Sequence, residues 1–536
     1  MRSVMVSADR IAVLVLAAVA VIAGITFRDY GLGWDDYTHA QYGDLLLKLY
    51  GSGFADTRAL SFVNLYKYGG GFDMAAALAA KLLPFDLFET RRLVGAAVGI
   101  VGLFVTWRIG RRIGGPPAGV IALILLASCP LYYGHMFMNA KDAPFATAMA
   151  VLLLGLLRSF DEYPSPSAHT VALTGVGHGL AFGSRVLAGV AAPVGLAALL
   201  FVLIAESRAG GWKPAAQRCG QFFWTMLPAL GLGYLIMGLL WPWSVLSPLN
   251  PLYAVEYFDT FFEKPWQELY EGRLINVPDM PASYLPHLFM LTLPEIMLAL
   301  GLIGTVGAFV TAARRSVTVN RRASLIAVAL AAILPVTLAI MARPALYNGL
   351  RHFIFVVPPF AALGGLTMAW LVESACRHGK AALGALAAVF IAGVSLPAID
   401  MVRLHPYQYT AFNWFSGGVR MAQDKYMLDY WGLAFKQAAD ELRTRLAAAS
   451  EHPPQGLRWV VAICGPQASA QVELGPQFDT TFDRKTADFA LALGTFYCNH
   501  LQHPIMATIE REGVVYAQVY NLRGGPKPQL LTEPPP

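Results

Sequence analysis

Apolar runs recur along most of this chain. A membrane crossing takes about 20 mostly apolar residues. Eleven stretches meet that need, near 11–28, 92–108, 117–134, 143–158, 168–184, 187–205, 221–240, 285–312, 323–342, 352–372 and 380–398. The pattern predicts a mainly α, polytopic membrane protein of about eleven transmembrane helices. Two connections are long. Residues 29–91 contain helix-like, amphipathic stretches at 38–50 and 72–83, suited to lying along an interface. Residues 241–284 are rich in aromatics: Trp241, Trp243, Tyr253, Tyr257, Phe258, Phe261, Phe262, Trp266 and Tyr270. Such a run reads either as an aromatic belt at the membrane interface or as the wall of a ligand site.

Near residue 400 the pattern changes, dividing the chain into a membrane domain over 1–400 and a second domain over 401–525. A polar helical pattern runs from Trp431 to Ala449. Strand-like runs follow at 458–463, 488–493, 505–510 and 514–521, with Glu512-Gly513 as a hairpin turn between the last two. This predicts a small α/β domain outside the membrane. Residues 526–536 read as a Pro-rich, disordered tail.

Composition supports the membrane assignment. The 536 residues are 56% hydrophobic and 14% charged, with a mean hydropathy of +0.50. A soluble protein carries roughly a quarter charged residues. The net charge of +6 matters through its placement. With the N-terminus inside, the cytoplasmic loops hold Arg108, Arg111 and Arg112; Arg158; Arg208, Lys213 and Arg218; Arg314, Arg315, Arg321 and Arg322; Arg377 and Lys380. The short outer loops hold only isolated bases, Lys141, Arg185, Arg343 and Arg351. Basic residues favour the inside, and an odd number of spans then puts the C-terminal domain outside. The expected location is the inner membrane of a bacterium, with that domain periplasmic. Residues 11–27 resemble a signal peptide but are read as an uncleaved anchor. No basic tract interleaved with aromatics suggests a nucleic-acid partner. Cys464 and Cys498 fall in the outer region, where a disulfide is chemically allowed.

The candidate chemistry lies on the outer side. Trp34-Asp35-Asp36-Tyr37 follows the first span. A carboxylate there can be inert and solvated, or it can act as a general base toward an acceptor hydroxyl. Asp142 sits in Asn139-Ala140-Lys141-Asp142-Ala143-Pro144, at the start of the fourth span. It reads as an N-terminal helix residue beside Pro144, or as a second acid facing the same cavity as Asp35 and Asp36. Lys141 is its ion partner or a phosphate ligand. Arg185 interrupts an apolar stretch, and Arg351 opens the tenth span. An arginine at that depth snorkels to the interface or meets an anion, and guanidinium forks suit phosphate oxygens. His39, His135, His287, His352 and His405 fall on the same side without metal-ligand spacing. No Walker-type phosphate loop is present, which disfavours an ATP-driven pump.

These stretches resemble the GT-C membrane glycosyltransferases, and within them glycosyltransferase family 39, which holds protein O-mannosyltransferases and lipid A aminoarabinose transferases. The likeness spans roughly residues 10–400. It rests on Trp34 to Tyr37, Asn139 to Pro144, Gly183 to Leu187, and Arg351-His352 leading to Pro358-Pro359. The resemblance implies a GT-C fold and inverting transfer from a polyprenyl-phosphate sugar. The acceptor would be a lipid, glycan or protein hydroxyl. It implies that the acidic pair of the first outer loop is Asp35 and Asp36, with Asp36 replacing the commoner Glu and Asp35 as base. It places the second acid at Asp142 and the phosphate ligands at Arg185, Arg351 and, less securely, Lys141. Members that need no metal exist, so no cofactor is expected. The rival readings are a lipid or small-molecule transporter or flippase, and a non-catalytic envelope assembly protein. Against a transporter, the acids lie at outer helix ends and no convincing internal repeat is seen.

Overall fold

A computed structural model describes residues 2–259 and 266–524, with side chains from residue 7 onward. The Pro-rich tail, and Phe261 and Phe262 of the aromatic run, lie outside the described residues.

The chain enters through α1 (Arg2–Thr26) and caps one end of the bundle with α2 (Asp36–Gly51) and α3 (Gly71–Ala80). Next come α4 (Leu87–Ala127), α5 (Pro130–Met138), α6 (Asp142–Asp161), α7 (Ala168–Phe182), α8 (Ala191–Gly210) and α9 (Trp212–Leu240). A second excursion holds α10 (Asn250–Asp259), the antiparallel hairpin β1 (Gln267–Tyr270) and β2 (Arg273–Asn276), and α11 (Tyr284–Thr292). The remaining membrane helices are α12 (Glu295–Ala313), α13 (Val319–Ala342), α14 (Val357–His378) and α15 (Lys380–Arg403).

Among the described residues, nine helices are long and apolar enough to cross a membrane. α4 is one of the nine but makes two passes. Gly115 takes φ +79°, a value only glycine adopts without strain. Pro116 and Pro117 follow, where a helix start tolerates them. The chain reverses there, so Gly110 faces Ala122, Gly102 faces Tyr132 and Gly95 faces Met136. Each of the eleven expected stretches falls on helical structure, but the 15-residue α7 is shorter than a crossing needs. One departure is local: the stretch 285–312 is not one helix but α11 and α12, broken at Leu293-Pro294.

The alternating passes sort the charges. One end of the bundle gathers the basic turns. There Arg111 pairs with Asp9 (2.9 Å), Arg112 with Asp161 (2.6 Å) and Arg218 with Glu206 (2.9 Å). The other end carries Asp35, Asp36, Lys141, Asp142, Arg185, Arg351 and the C-terminal region.

That region contains α16 (Gly418–Ala422), α17 (Phe435–Ala448), β3 (Trp459–Cys464), α18 (Gln467–Leu474), β4 (Phe478–Thr481), β5 (Phe489–Leu493), β6 (Ile505–Arg511) and β7 (Val514–Asn521). The sheet order is β4-β3-β5-β7-β6. β3 runs parallel to β4 and β5, and the other pairings are antiparallel. The helix expected over 431–449 appears as the shorter α17, and the four strand runs and the turn at Glu512-Gly513 appear as expected, the turn with φ +51° and +79°. α18 and β4 escaped the sequence reading. They are short, and α18 has little apolar periodicity. Cys464 and Cys498 form a disulfide, which ties the segment after β5 to the sheet.

The C-terminal region grips the loop between α1 and α2. Trp34 donates its N–H to the Trp431 carbonyl (3.1 Å), Leu32 donates to Glu473 (2.9 Å), and Ser469 donates to the Gly33 carbonyl. A Cβ on Gly33 would overlap the Trp431 indole, and one on Gly31 would strike the Leu433 carbonyl. The loop therefore needs glycine for close approach. Gly33→Ala should cost about 1–3 kcal/mol of stability through overpacking. Thermal unfolding and limited proteolysis in detergent would show a lower midpoint and faster cutting after residue 400. A wild-type midpoint and digest would contradict this contact.

Candidate active site

The helix that starts at Asp36 separates the two neighbouring carboxylates. Successive residues of an α-helix point about 100° apart, so Asp35 and Asp36 face different partners. Asp36 points inward, 2% exposed. Arg92 of α4 donates from both terminal nitrogens to its two oxygens, each at 2.8 Å, and also reaches the Gly31 carbonyl (2.6 Å). The Gly33 N–H adds a fourth bond to this group (2.8 Å). Asp36 thus holds the loop in shape and does not join the cluster described next.

Asp35 keeps 38% of its side chain exposed, and its carboxylate meets Lys141 Nζ at 3.2 Å. Burial by the surrounding protein pushes its carboxyl up. Lys141, His39 and Arg351 outweigh that effect and hold it well below the usual carboxylate range. Lys141, in turn, is disfavoured by burial but raised by Asp35. Lys141 immediately precedes α6, and its ammonium also lies over the Tyr68 ring at 4.8 Å.

Asp142 is the first residue of α6 and is 2% exposed. Asn139 fixes this helix start: its Oδ1 accepts the N–H of Lys141 (3.0 Å) and of Asp142 (2.7 Å), while its Nδ2 donates to Asp142 Oδ2 (2.9 Å). The other oxygen of Asp142 pairs with Arg185. Arg351 approaches at 4.0 Å, and its buried Nε has no hydrogen-bond partner among the described residues. Its guanidinium packs over the Tyr347 and Trp431 rings (4.6 and 5.0 Å). Arg185 lies over Tyr68, 5.7 Å from the centroid.

Five of the six residues singled out from the sequence therefore converge, and Asp36 stands apart. Three cations share two carboxylates, and aromatic faces fill the space between them. Tyr68 was not foreseen; it sits in an irregular stretch with no motif. The wall behind it is the aromatic excursion: Phe258 of α10 packs on Tyr68 (4.3 Å), and Trp266 packs on Tyr347 (5.1 Å). Other α10 side chains, Leu252 and Tyr253, remain exposed on the outside of the bundle. The excursion thus packs aromatics against the site while its outer side chains stay exposed.

A second buried network lies beside the site and was also missed. Asp73 of α3 accepts from Arg91 and binds His39 Nδ1, both at 2.6 Å. Asp73, His39 and Arg91 come from three separate helices, so spacing could not reveal the network. No group of three or more His, Cys, Asp or Glu side chains that could hold a metal occurs among the described residues.

Comparison with known proteins agrees with this architecture. Residues 72–217 match the family described as dolichyl-phosphate-mannose-protein mannosyltransferase. ArnT from Cupriavidus metallidurans in the apo state is similar over 96% of this chain and 98% of its own, at 15% identity and a TM-score of 0.50. The same ArnT bound to undecaprenyl phosphate is similar at 14% identity, covering 96% and 99%, with a TM-score of 0.47. The apo oligosaccharyltransferase of Archaeoglobus fulgidus shows 12% identity and a TM-score of 0.49. The match takes in 86% of this chain and 64% of that one, so this chain spans about two thirds of its length. No curated protein sequence matches the chain. The fold is GT-C, and the chain is an integral membrane protein resembling the family 39 glycosyltransferases.

Stability separates the two acids. Removing one partner of a buried pair costs about 3–5 kcal/mol, so Asp36→Asn should sharply lower the thermal-unfolding midpoint. Asp35 is partly exposed, and such pairs contribute about 0–1 kcal/mol, so Asp35→Asn should melt near wild type. Equal midpoints for the two variants would contradict the division of roles.

Proposed function

We propose that this protein transfers a sugar from a polyprenyl-phosphate donor to an acceptor hydroxyl with inversion at the anomeric carbon. The observation that carries the reading is the solvent-reachable Asp35 carboxylate beside Lys141, next to Arg185 and Arg351 grouped on Asp142. The matched family's description supplies the donor class, a dolichyl-phosphate sugar. The sign of the bundle's charged ends supports a site on the extracytoplasmic face of the inner membrane. A lipid, glycan or protein hydroxyl is the acceptor class.

In this reading Asp35 takes the proton from the acceptor hydroxyl. The acceptor oxygen forms a bond to the anomeric carbon as the bond from that carbon to the phosphate oxygen breaks. The polyprenyl phosphate leaves with its charge met by Lys141, Arg185 and Arg351, an arrangement fixed before the reaction begins. Asp142 acts through its arginines as a positioning residue. In the free protein Lys141 lowers the basicity of Asp35. A donor phosphate that draws Lys141 toward itself restores that basicity, so the base strengthens once the donor is in place. The chain supplies these cations itself, and the proposal draws on no metal or other cofactor.

The test is transfer from a radiolabelled polyprenyl-phosphate sugar in proteoliposomes, beside binding of undecaprenyl phosphate. Asp35→Asn should lose about 10²–10⁴-fold in transfer while still binding the lipid phosphate. Arg351→Met should weaken that binding by roughly tenfold or more. Full transfer by Asp35→Asn would overturn the assignment. Lipid movement across the bilayer with no sugar transfer would favour a transporter.

A further inference from the structure

Arg351 is presented by a short turn whose backbone is unusual. Asn348 and Gly349 both take positive φ, +57° and +68°. Asparagine tolerates that region better than most residues do, and here a distant element also holds the turn. The support comes from β1, 80 residues earlier in the chain. Glu268 is buried at 3% exposure. Both of its oxygens accept the Asn348 N–H, each at 2.9 Å. Tyr284 of α11 donates its hydroxyl to Glu268 (3.3 Å), and that hydroxyl accepts the Gly349 N–H (3.0 Å). The charged and titratable groups that face Glu268 are Tyr284 from α11, Arg351 from the turn itself, and Tyr430 from the segment before α17.

We propose that Glu268 is a positioning residue for phosphate binding: through the Asn348-Gly349 backbone and Tyr284, the β1–β2 hairpin holds the turn that aims Arg351 and Tyr347 at the donor phosphate. A buried carboxylate spent on one backbone amide and a tyrosine has no surface task. Its backbone partner, Asn348, lies three residues before Arg351. The hairpin is thus a strap on the turn that carries Arg351, and its acid is the buckle. Only the ionised carboxylate offers both oxygens as acceptors. Burial pushes the Glu268 carboxyl up to about 7, against the amide and tyrosine donors and Arg351, which favour the ionised form. The strap is therefore tight above neutral pH and slack below it.

The inference rests on the proposed donor-phosphate site, and the experiment separates the two. Undecaprenyl phosphate is titrated into wild type and Glu268→Gln in nanodiscs between pH 6 and pH 8, with unfolding midpoints as a folding control. The ligand's own ionisation cancels in the ratio of the two affinities. Above pH 7 the variant should bind roughly tenfold more weakly, and the ratio should approach one at pH 6, where the wild-type acid is protonated. A purely structural loss would leave the ratio constant with pH. If the wild type binds no undecaprenyl phosphate, the site itself is misassigned. If it binds and the ratio stays at one throughout, or differs from one without changing with pH, the positioning role is overturned. Should Glu268→Gln fail to fold, Tyr284→Phe removes the same support to Gly349. It should weaken binding at pH 8 by roughly threefold, and unchanged affinity would overturn the proposal equally.

Discussion

Arg92 and Lys141 compete for neither of the two carboxylates between which α2 begins; each takes one. That partition depends on the helix start at Asp36, because the helical rotation turns one acid into the protein and leaves the next facing the site. The rest of this end of the bundle follows from it. The buried pair with Arg92 pins the loop from Gly31 to Asp36, and the C-terminal region closes over that loop through Trp431, Ser469 and Glu473. Trp431 then supplies an aromatic face to Arg351. A residue far from the membrane helices in sequence thereby helps shape a site built mainly on them.

The electrostatic logic of the cluster is exchange. In the free protein every cation of the site touches a carboxylate or an aromatic face: Lys141 meets Asp35, Arg185 meets Asp142, and Arg351 lies between Tyr347 and Trp431. Buried charges require such partners. Phosphate is a stronger bidentate partner for guanidinium than an aromatic ring is. In the proposed reaction an incoming donor takes over contacts already made, so little reorganisation of the protein is needed. The aromatic surroundings of the arginines suit this task because they satisfy a cation without fixing it to one anion.

Much of this was legible in the sequence because it depends on local pattern. The passes of the bundle follow from runs of apolar residues, and their alternation from the bases in the turns. The hairpin at Glu512-Gly513 follows from turn residues between two strand-like runs, while the topology put Asp35, Asp142, Arg185 and Arg351 on one side and the family resemblance grouped them. What escaped depends on partners distant in the chain. The Asp36–Arg92 pair joins residues 56 apart, and Glu268 reaches Asn348 across 80. No spacing rule connects them. The hairpin that carries Glu268 is four residues a side inside an aromatic-rich stretch, too short for a periodicity signal. Two errors of element have local causes: Pro294 breaks the span expected over 285–312, and α18 with β4 is too small to stand out.

The central claim is that three cations at the end of the bundle that carries Asp35 form a seat for a lipid-linked phosphate, with Asp35 beside it. A structure of the protein with undecaprenyl phosphate bound tests it most directly. The account predicts phosphate oxygens at charge-assisted hydrogen-bond distance, about 2.7–2.9 Å, from Arg185 and Arg351, with Lys141 drawn away from an unprotonated Asp35. A phosphate bound at the opposite, basic end of the bundle, with the Lys141–Asp35 and Arg185–Asp142 pairs undisturbed, would contradict it.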